Sequence, residues 1–229
     1  MTAPIVQKDE LVPLLAALQL KEADVLDLGC GVGSLARRIA KETGAMSVTA
    51  IDTDNAQIER AAQKGGSVKY LTGTAEALPL ADASLDVIVM MKSLHHVPIP
   101  EMDVAFAEMM RVLRPRGCVY ICEPAYEGPF NDILRLFHDE GTVRAAALDA
   151  IGRAATRQFE VIQKTDYLRI MKYQNLDDFR GKMMNLPWLE NRITPEIEKQ
   201  VAIAWQDHAA SDDSAALSSR MLVFVLRKL

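Results

Sequence analysis

The stretch Val25-Leu26-Asp27-Leu28-Gly29-Cys30-Gly31-Val32-Gly33 reads as an apolar strand running into alternate glycines, with an amphipathic helix following over residues 34–41. Glycine adopts left-handed backbone at no steric cost, so this spacing allows a tight strand-to-helix turn and a close approach of a ligand to the main chain. Such a turn leaves helix N–H groups exposed beside it, which suits a nucleotide-like ligand. By itself the triplet is equally consistent with a turn that only packs strand on helix. Further along, Ala50-Ile51-Asp52-Thr53-Asp54 ends a second apolar run in a carboxylate. That is where an α/β nucleotide site places an acceptor for both ribose hydroxyls, and the coincidence of the two features favours ribose binding over a helix cap or solvated turn for Asp52.

Working outward, short apolar runs at residues 24–28, 47–51, 67–71, 85–91 and 117–122 alternate with helical patterns. Strands so separated need crossovers, which predicts a doubly wound, mostly parallel α/β sheet covered on both faces. A leading helix over roughly residues 8–18 carries Leu11, Leu14, Leu15 and Leu18 at core spacing and is expected to cover the first strand. Beyond Glu123 the residues Pro124, Gly128 and Pro129 mark a turn, then helical patterns run until strand signals return near Thr165. Residues 167–173 and 220–226 read as the last strands. Between them lie a helix at 176–184, a turn at Pro187-Trp188 and a helix at 194–208 opened by Thr194-Pro195-Glu196. No repeat or linker divides the chain, so one domain over 1–229 with helical insertions is the economical reading.

The 229 residues supply enough apolar sequence for a full core, with 49% hydrophobic and 25% charged residues. Lys and Arg number 26 against 31 Asp and Glu, a net charge of −5 that lacks the basic excess of a nucleic-acid binder. No run approaches a transmembrane span, and Lys8, Asp9 and Glu10 stand where a leader would need apolar residues. The three cysteines, Cys30, Cys118 and Cys122, show no zinc-ligand spacing. The expectation is a reduced, cytoplasmic protein without metal.

The glycine loop and Asp52 fit two ligand classes, dinucleotides and S-adenosylmethionine. A dinucleotide fingerprint needs Gly-x-Gly-x-x-Gly, yet the sixth position from Gly29 is Ser34 and from Gly31 is Ala36. The loop is thus wrong for NAD, which demotes an NAD-dependent oxidoreductase. Asp27, two residues before the first glycine, can orient the loop or reach a ligand's ammonium.

Four blocks in order, VLDLGCGVG, AIDTD, GTAEALPLADASLDVIV, and MMKSLHHV followed by MMRVLRPRGCVYICEP, make residues 20–125 resemble the class I S-adenosylmethionine-dependent methyltransferases. The likeness is to their ubiquinone/menaquinone-biosynthesis-like small-molecule branch (methyltransferase type 11). It implies a Rossmann-like seven-stranded sheet of order 3-2-1-4-5-7-6 with strand 7 antiparallel, and helical lid insertions. It implies S-adenosyl-L-methionine as cofactor, S-adenosyl-L-homocysteine as product, and a cofactor-binding half at 1–125 with substrate-lid insertions at 125–157 and 175–218. Carried over by position, Gly29, Cys30, Gly31 and Gly33 line the methionine and ribose portion, Asp52 holds the ribose and Thr53 lies against the adenine. Thr74-Ala75-Glu76 stands where the family usually reads Asp-Ala-Glu; the Thr74 hydroxyl replaces the carboxylate that takes the adenine amino group and is a weaker acceptor. Met90 and Met91 end strand 4 where the methionine chain passes, or are core.

His95 and His96 fall just beyond strand 4, near the expected position of the methyl group. An imidazole there could serve as base or as a purely positional group. Methyl transfer asks chiefly for alignment, so a base is needed only for some acceptors. His138, Glu123, Lys92 and Tyr126 are further candidates, whereas Asp82 and Asp86 read as structural. Phe130, Leu134, Phe137, Met171, Tyr173, Met184, Trp188 and Trp205 form an apolar set suited to a partly apolar small-molecule acceptor, or else pack the core. Arg135, His138 and Arg144 could meet an acidic acceptor. Only about two dozen residues precede the first strand, so the cofactor site is expected to be open or to be closed by the acceptor or by another subunit of an oligomer. A non-catalytic S-adenosylmethionine-binding protein, sensor or assembly partner, is the alternative function.

Overall fold

The computed structural model describes residues 5–186, 189 and 192–229. Strands β1 (Asp24–Leu28), β2 (Ser47–Asp52), β3 (Val68–Thr72), β4 (Leu85–Met91), β5 (Leu113–Pro124), β6 (Phe159–Tyr173) and β7 (Ala215–Lys228) form one sheet. Its order is 3-2-1-4-5-7-6, with β7 antiparallel, as the resemblance implied. The helices are α1 (Leu11–Ala17), α2 (Ser34–Glu42), α3 (Asn55–Gln63), α4 (Met102–Val112), α5 (Pro129–Leu134), α6 (Gly141–Arg157), α7 (Leu176–Met183) and α8 (Pro195–Gln206). None among the described residues is long and apolar enough to cross a membrane.

The chain divides into two compact units through which β6 and β7 both pass. The larger comprises Asp9–Glu123, Val143–Thr165 and Leu222–Leu229. Here β1 pairs in parallel with β2 and β4, so that Asp27 stands opposite Ala50 on one side and Val89 on the other. β3 extends this ladder beyond β2, and β5 pairs beyond β4 with Met91 opposite Cys122. Because side chains alternate across a strand, Leu26, Leu28, Ile51, Ile88, Met90, Val119 and Ile121 share one face. That face packs on Met102, Ala105, Phe106 and Met109 of α4 and on Ala147, Ala150 and Ile151 of α6. The opposite face carries Asp27 and Tyr120, both buried. The turn leading into α1 is fastened to α2 by Arg38, which pairs with Asp9 at 2.5 Å.

The smaller unit comprises the described part of Met1–Lys8, together with Pro124–Thr142 and Asp166–Met221. Its core gathers Ile133, Tyr173, Phe179, Met184, Val201, Trp205 and Leu217. Trp205 donates its Nε1–H to Asp213 at 2.8 Å, which satisfies the one polar atom of that buried ring. Thr194 caps α8 as its sequence suggests, accepting from the Ile197 N–H at 3.3 Å.

Three expectations need correction. β6 starts at Phe159, ahead of the predicted Thr165, because it is an edge strand. The exposed Glu160 and Lys164 and the half-buried Gln163 dilute the alternation that reveals a buried strand. β5 and β7 are likewise longer than read, β5 because Leu85 pairs with Leu113 before a bulge that places Arg116 at φ 67°. Leu15, expected in the core, lies on the exposed side of α1. The Pro187-Trp188 turn lies outside the described residues.

Candidate functional site

The predicted cofactor residues all fall within the larger unit, at or just beyond the carboxyl ends of β1, β2 and β4, with Thr74, Ala75 and Glu76 following β3. Gly29, Gly31 and Gly33 have φ of 79°, 53° and 67°, so each occupies the left-handed region that disfavours a side chain. Two of them are also fixed by protein packing. A Cβ on Gly29 would stand 2.4 Å from the Ser93 Cβ, and one on Gly33 would stand 2.6 Å from the Tyr70 ring. The expected role of these two glycines in admitting a ligand is therefore joined by a structural one: they admit Ser93 and Tyr70. Arg37 braces the same loop by donating to the Val32 carbonyl at 2.8 Å and to the Tyr70 hydroxyl at 3.2 Å.

Asp52 sits at the end of β2 and fastens the loop from the other side. Its Oδ2 accepts from the Gly31 N–H at 2.7 Å and its Oδ1 accepts from the Asp54 N–H at 3.0 Å. Each carboxylate oxygen has a second lone pair, so both retain capacity for a hydroxyl. Thr53 beside it is exposed. Asp27 is 2% exposed; it accepts from the Ala36 N–H, and its Oδ2 has no partner among the described residues. Burial pushes this carboxyl up to about 7, opposed by the Ala36 N–H and reinforced by the nearby Asp52 and Glu10 carboxylates. Burial likewise pushes the Cys30 thiol up to about 12, with Asp27 and Asp52 adding to the effect, so Cys30 stays protonated and unreactive. Thr74 and Glu76 are half-buried beyond β3, whereas Ala75 packs into the core with Leu78. Met90 is also a core side chain, while Met91 projects from the opposite face of β4 and is 9% exposed.

The segment after β4 is held more elaborately than the sequence showed. Lys92 adopts φ 59°, unusual for a residue with a side chain, and its Nζ pairs with Glu10 at 2.5 Å. The buried Ser93 donates its hydroxyl to the Leu28 carbonyl at 2.7 Å, tying this segment to the start of the glycine loop. Glu123, 2% exposed at the end of β5, accepts from the Leu94 N–H at 2.9 Å through Oε1, and its Oε2 bonds His95 Nδ1. His95 is thus buried and oriented by a carboxylate, while His96 is exposed with its ring 4.1 Å from that of His95. Sequence reasoning ranked Glu123 only as a lone base and missed both its partnership with His95 and the role of Ser93. The signal was the parallel register: Met91 opposite Cys122 carries the next residues of both strands to the same edge.

The remaining candidates separate. Asp86 accepts from the Asp24 N–H at 2.8 Å and from Arg114 at 2.6 Å, and Asp82 pairs with Arg111 at 2.7 Å; both are structural, as read. In the smaller unit, His138 bonds Glu140 at 3.0 Å and Tyr126 donates to Asp139 at 2.8 Å. Tyr173, Phe179 and Trp205 pack edge-on or tilted against one another within 6.2 Å. In the described residues, therefore, Tyr173, Met184 and Trp205 of the apolar set serve as core.

A loop of three left-handed glycines, a carboxylate at the end of the neighbouring strand and a buried carboxylate oxygen without a partner among the described residues form a coherent cradle. It fits a ligand with a dihydroxylated ring and a cationic group. A profile of the family described as a methyltransferase domain matches residues 25–117, the span that builds this cradle. The match covers less than half of the chain. A relative in Shewanella halifaxensis, the ubiquinone/menaquinone biosynthesis C-methyltransferase UbiE, is 35% identical over 122 residues. The alignment covers 50% of this chain and 47% of that one. The sterol 24-C-methyltransferase ERG6B of Gibberella zeae is 36% identical over 144 residues, covering 60% of this chain and 36% of its own. The chain thus spans half or less of the length of these relatives. A solved structure from Bacillus halodurans matches with a TM-score of 0.69 at 18% identity, covering 95% of this chain and 98% of that one, which establishes the shared fold. The match to that profile implies S-adenosylmethionine as cofactor and S-adenosylhomocysteine as product.

Proposed function

We propose that the protein transfers the methyl group of S-adenosylmethionine to an O, N or C atom of a small-molecule acceptor, leaving S-adenosylhomocysteine. The observation that carries this reading is the convergence of the glycine loop, Asp52 and the Asp27 oxygen that has no partner among the described residues, in the segment that matches the methyltransferase profile. When bound, the cofactor supplies a sulfonium-activated methyl group, so the protein's task is alignment rather than activation.

Asp52 is assigned the ribose hydroxyls, using the lone pairs left after it holds Gly31 and Asp54. Gly29, Cys30, Gly31 and Gly33 are assigned the methionine and ribose portion through their main chain. Asp27 balances the ligand ammonium, which is the charge its buried oxygen lacks. Thr53, Thr74, Ala75 and Glu76 are assigned the adenine side, with Thr74 accepting from the amino group and Ala75 donating its N–H. Met91 and the Met90 main chain flank the methionine chain. His95, fixed through Nδ1 by Glu123, is a positioning residue for the segment after β4, and the exposed His96 is the ring assigned to the acceptor. Residues 125–157 and 175–218 are assigned to acceptor choice as lid insertions of a single domain. A partly apolar acceptor and a cytoplasmic setting complete the proposal; the sterol and quinone-pathway names of the relatives support an apolar acceptor.

Incubation with methyl-tritiated S-adenosylmethionine and fractionated small-molecule extracts tests this. Label should move into an acceptor fraction with equimolar S-adenosylhomocysteine. Tight binding of both ligands with no transfer to any fraction would replace the enzyme by a non-catalytic binding protein.

A further inference from the structure

A groove of about 350 Å³ opens in the larger unit where the second half of α2 and the turn after α3 meet the start of β3. Arg37, Lys41 and Lys64 line it together with Gly65, Gly66 and Ser67, and no carboxylate does. Three cations in one concavity are conspicuous in a chain of net charge −5. Lys41 and Lys64 stand at the C-terminal ends of α2 and α3 and enter no ion pair among the described residues, although Glu42 acts on Lys41 through space. The Arg37 guanidinium is already fixed by the Val32 carbonyl and the Tyr70 hydroxyl, both on its Nη1. A ligand meeting it would cost less side-chain ordering than a free arginine demands.

The turn adds main-chain donors. Gly65 at φ 68° is the left-handed residue that ends α3, whose last N–H groups bond back to Ala61 and Ala62. That accounts for Gly65 but not for Gly66, which has φ 104° and whose N–H meets no acceptor among the described residues. A Cβ at either glycine would meet nothing within 4 Å, so packing does not demand glycine here and the main chain faces open space. Fixed guanidinium, two unpaired ammonium groups and an uncovered N–H together select an oxyanion of at least two charges.

We propose that this groove binds a phosphate-type anion; its lining includes none of the residues assigned to methyl transfer, and it borders the glycine loop only through Arg37, which braces that loop. Amide spectra of the full chain, titrated with inorganic phosphate and with pyrophosphate at ionic strength held constant by sodium chloride, test it. Saturable shifts at Gly65 and Gly66 are expected, with pyrophosphate binding more tightly. The Lys41→Gln/Lys64→Gln protein, checked for an unchanged melting temperature, should lose at least about tenfold in affinity, since each lysine contributes a charge-assisted contact. Shifts that rise linearly and match those from chloride alone, or saturation unaffected by the double substitution, would overturn the proposal.

Discussion

Replacing Asp27 by asparagine should remove a pH dependence of stability that the wild-type protein carries between about pH 4 and 7. The carboxyl stands at about 7 when folded, against an ordinary 3.8, chiefly because it is buried. In that window the folded chain holds a proton that the unfolded chain has lost. The unfolded state therefore binds fewer protons, and stability falls as pH rises, levelling off above the folded value. The gap is just over three pH units at about 1.4 kcal/mol each, an upper bound of roughly 4 kcal/mol, which is a large share of a typical domain's stability. Glu10 and Asp52 push in the same direction, Lys92 is paired with Glu10, and Cys30 titrates far above the window. Urea unfolding of both proteins at several values from about pH 4.5 to 7.5 isolates the contribution, because every other group cancels in the difference. Asp27→Asn should gain on wild type by roughly 2–4 kcal/mol across that range. A difference that stays flat, or that moves the other way, refutes the view of Asp27 as a buried carboxyl without a counter-charge.

Asp52→Ala should weaken S-adenosylhomocysteine binding by about tenfold or more, measured by calorimetry, because it removes a charged acceptor from ribose and from the Gly31 N–H. Gly33→Ala should cost roughly 2–4 kcal/mol in urea unfolding, combining a left-handed backbone with the Tyr70 contact. Adding Tyr70→Ala should relieve only the steric part, leaving the double variant less stable than Tyr70→Ala alone. Glu123→Ala strands the Leu94 N–H and His95 Nδ1 in a buried setting and should cost about 3 kcal/mol, with Glu123→Gln costing less; unchanged melting temperatures for both would show that the pair does not hold the segment.

The sheet was legible because β1, β2 and β4 are largely buried on both faces and read as apolar runs interrupted within by Asp27, Thr49 and Asp86, while glycines punctuate the turn after β1. The same physics hid the start of β6, whose exposed edge tolerates Glu160, Gln163 and Lys164. In the site, Asp52 and the glycines announce themselves by spacing along the chain. The bracing does not: Ser93 beneath Gly29, Tyr70 beneath Gly33 and Glu123 against His95 are long-range contacts set by strand register, and none has a local signature. Met90 and Met91 show the limit of residue type, since the period of two sends one into the core and the other to the opposite face. Aromatic content left the same choice open, and Tyr173 and Trp205 fill the smaller unit's core.

Calorimetric titration of the wild-type chain with S-adenosylhomocysteine tests the central claim most directly, since a ligand that binds only the folded state also raises the melting temperature. Saturable binding in the micromolar range, with a matching thermal shift and neither effect from NAD, is the predicted result. No heat and no thermal shift at millimolar ligand would contradict the assignment of the Gly29–Gly33 loop and Asp52 to this cofactor.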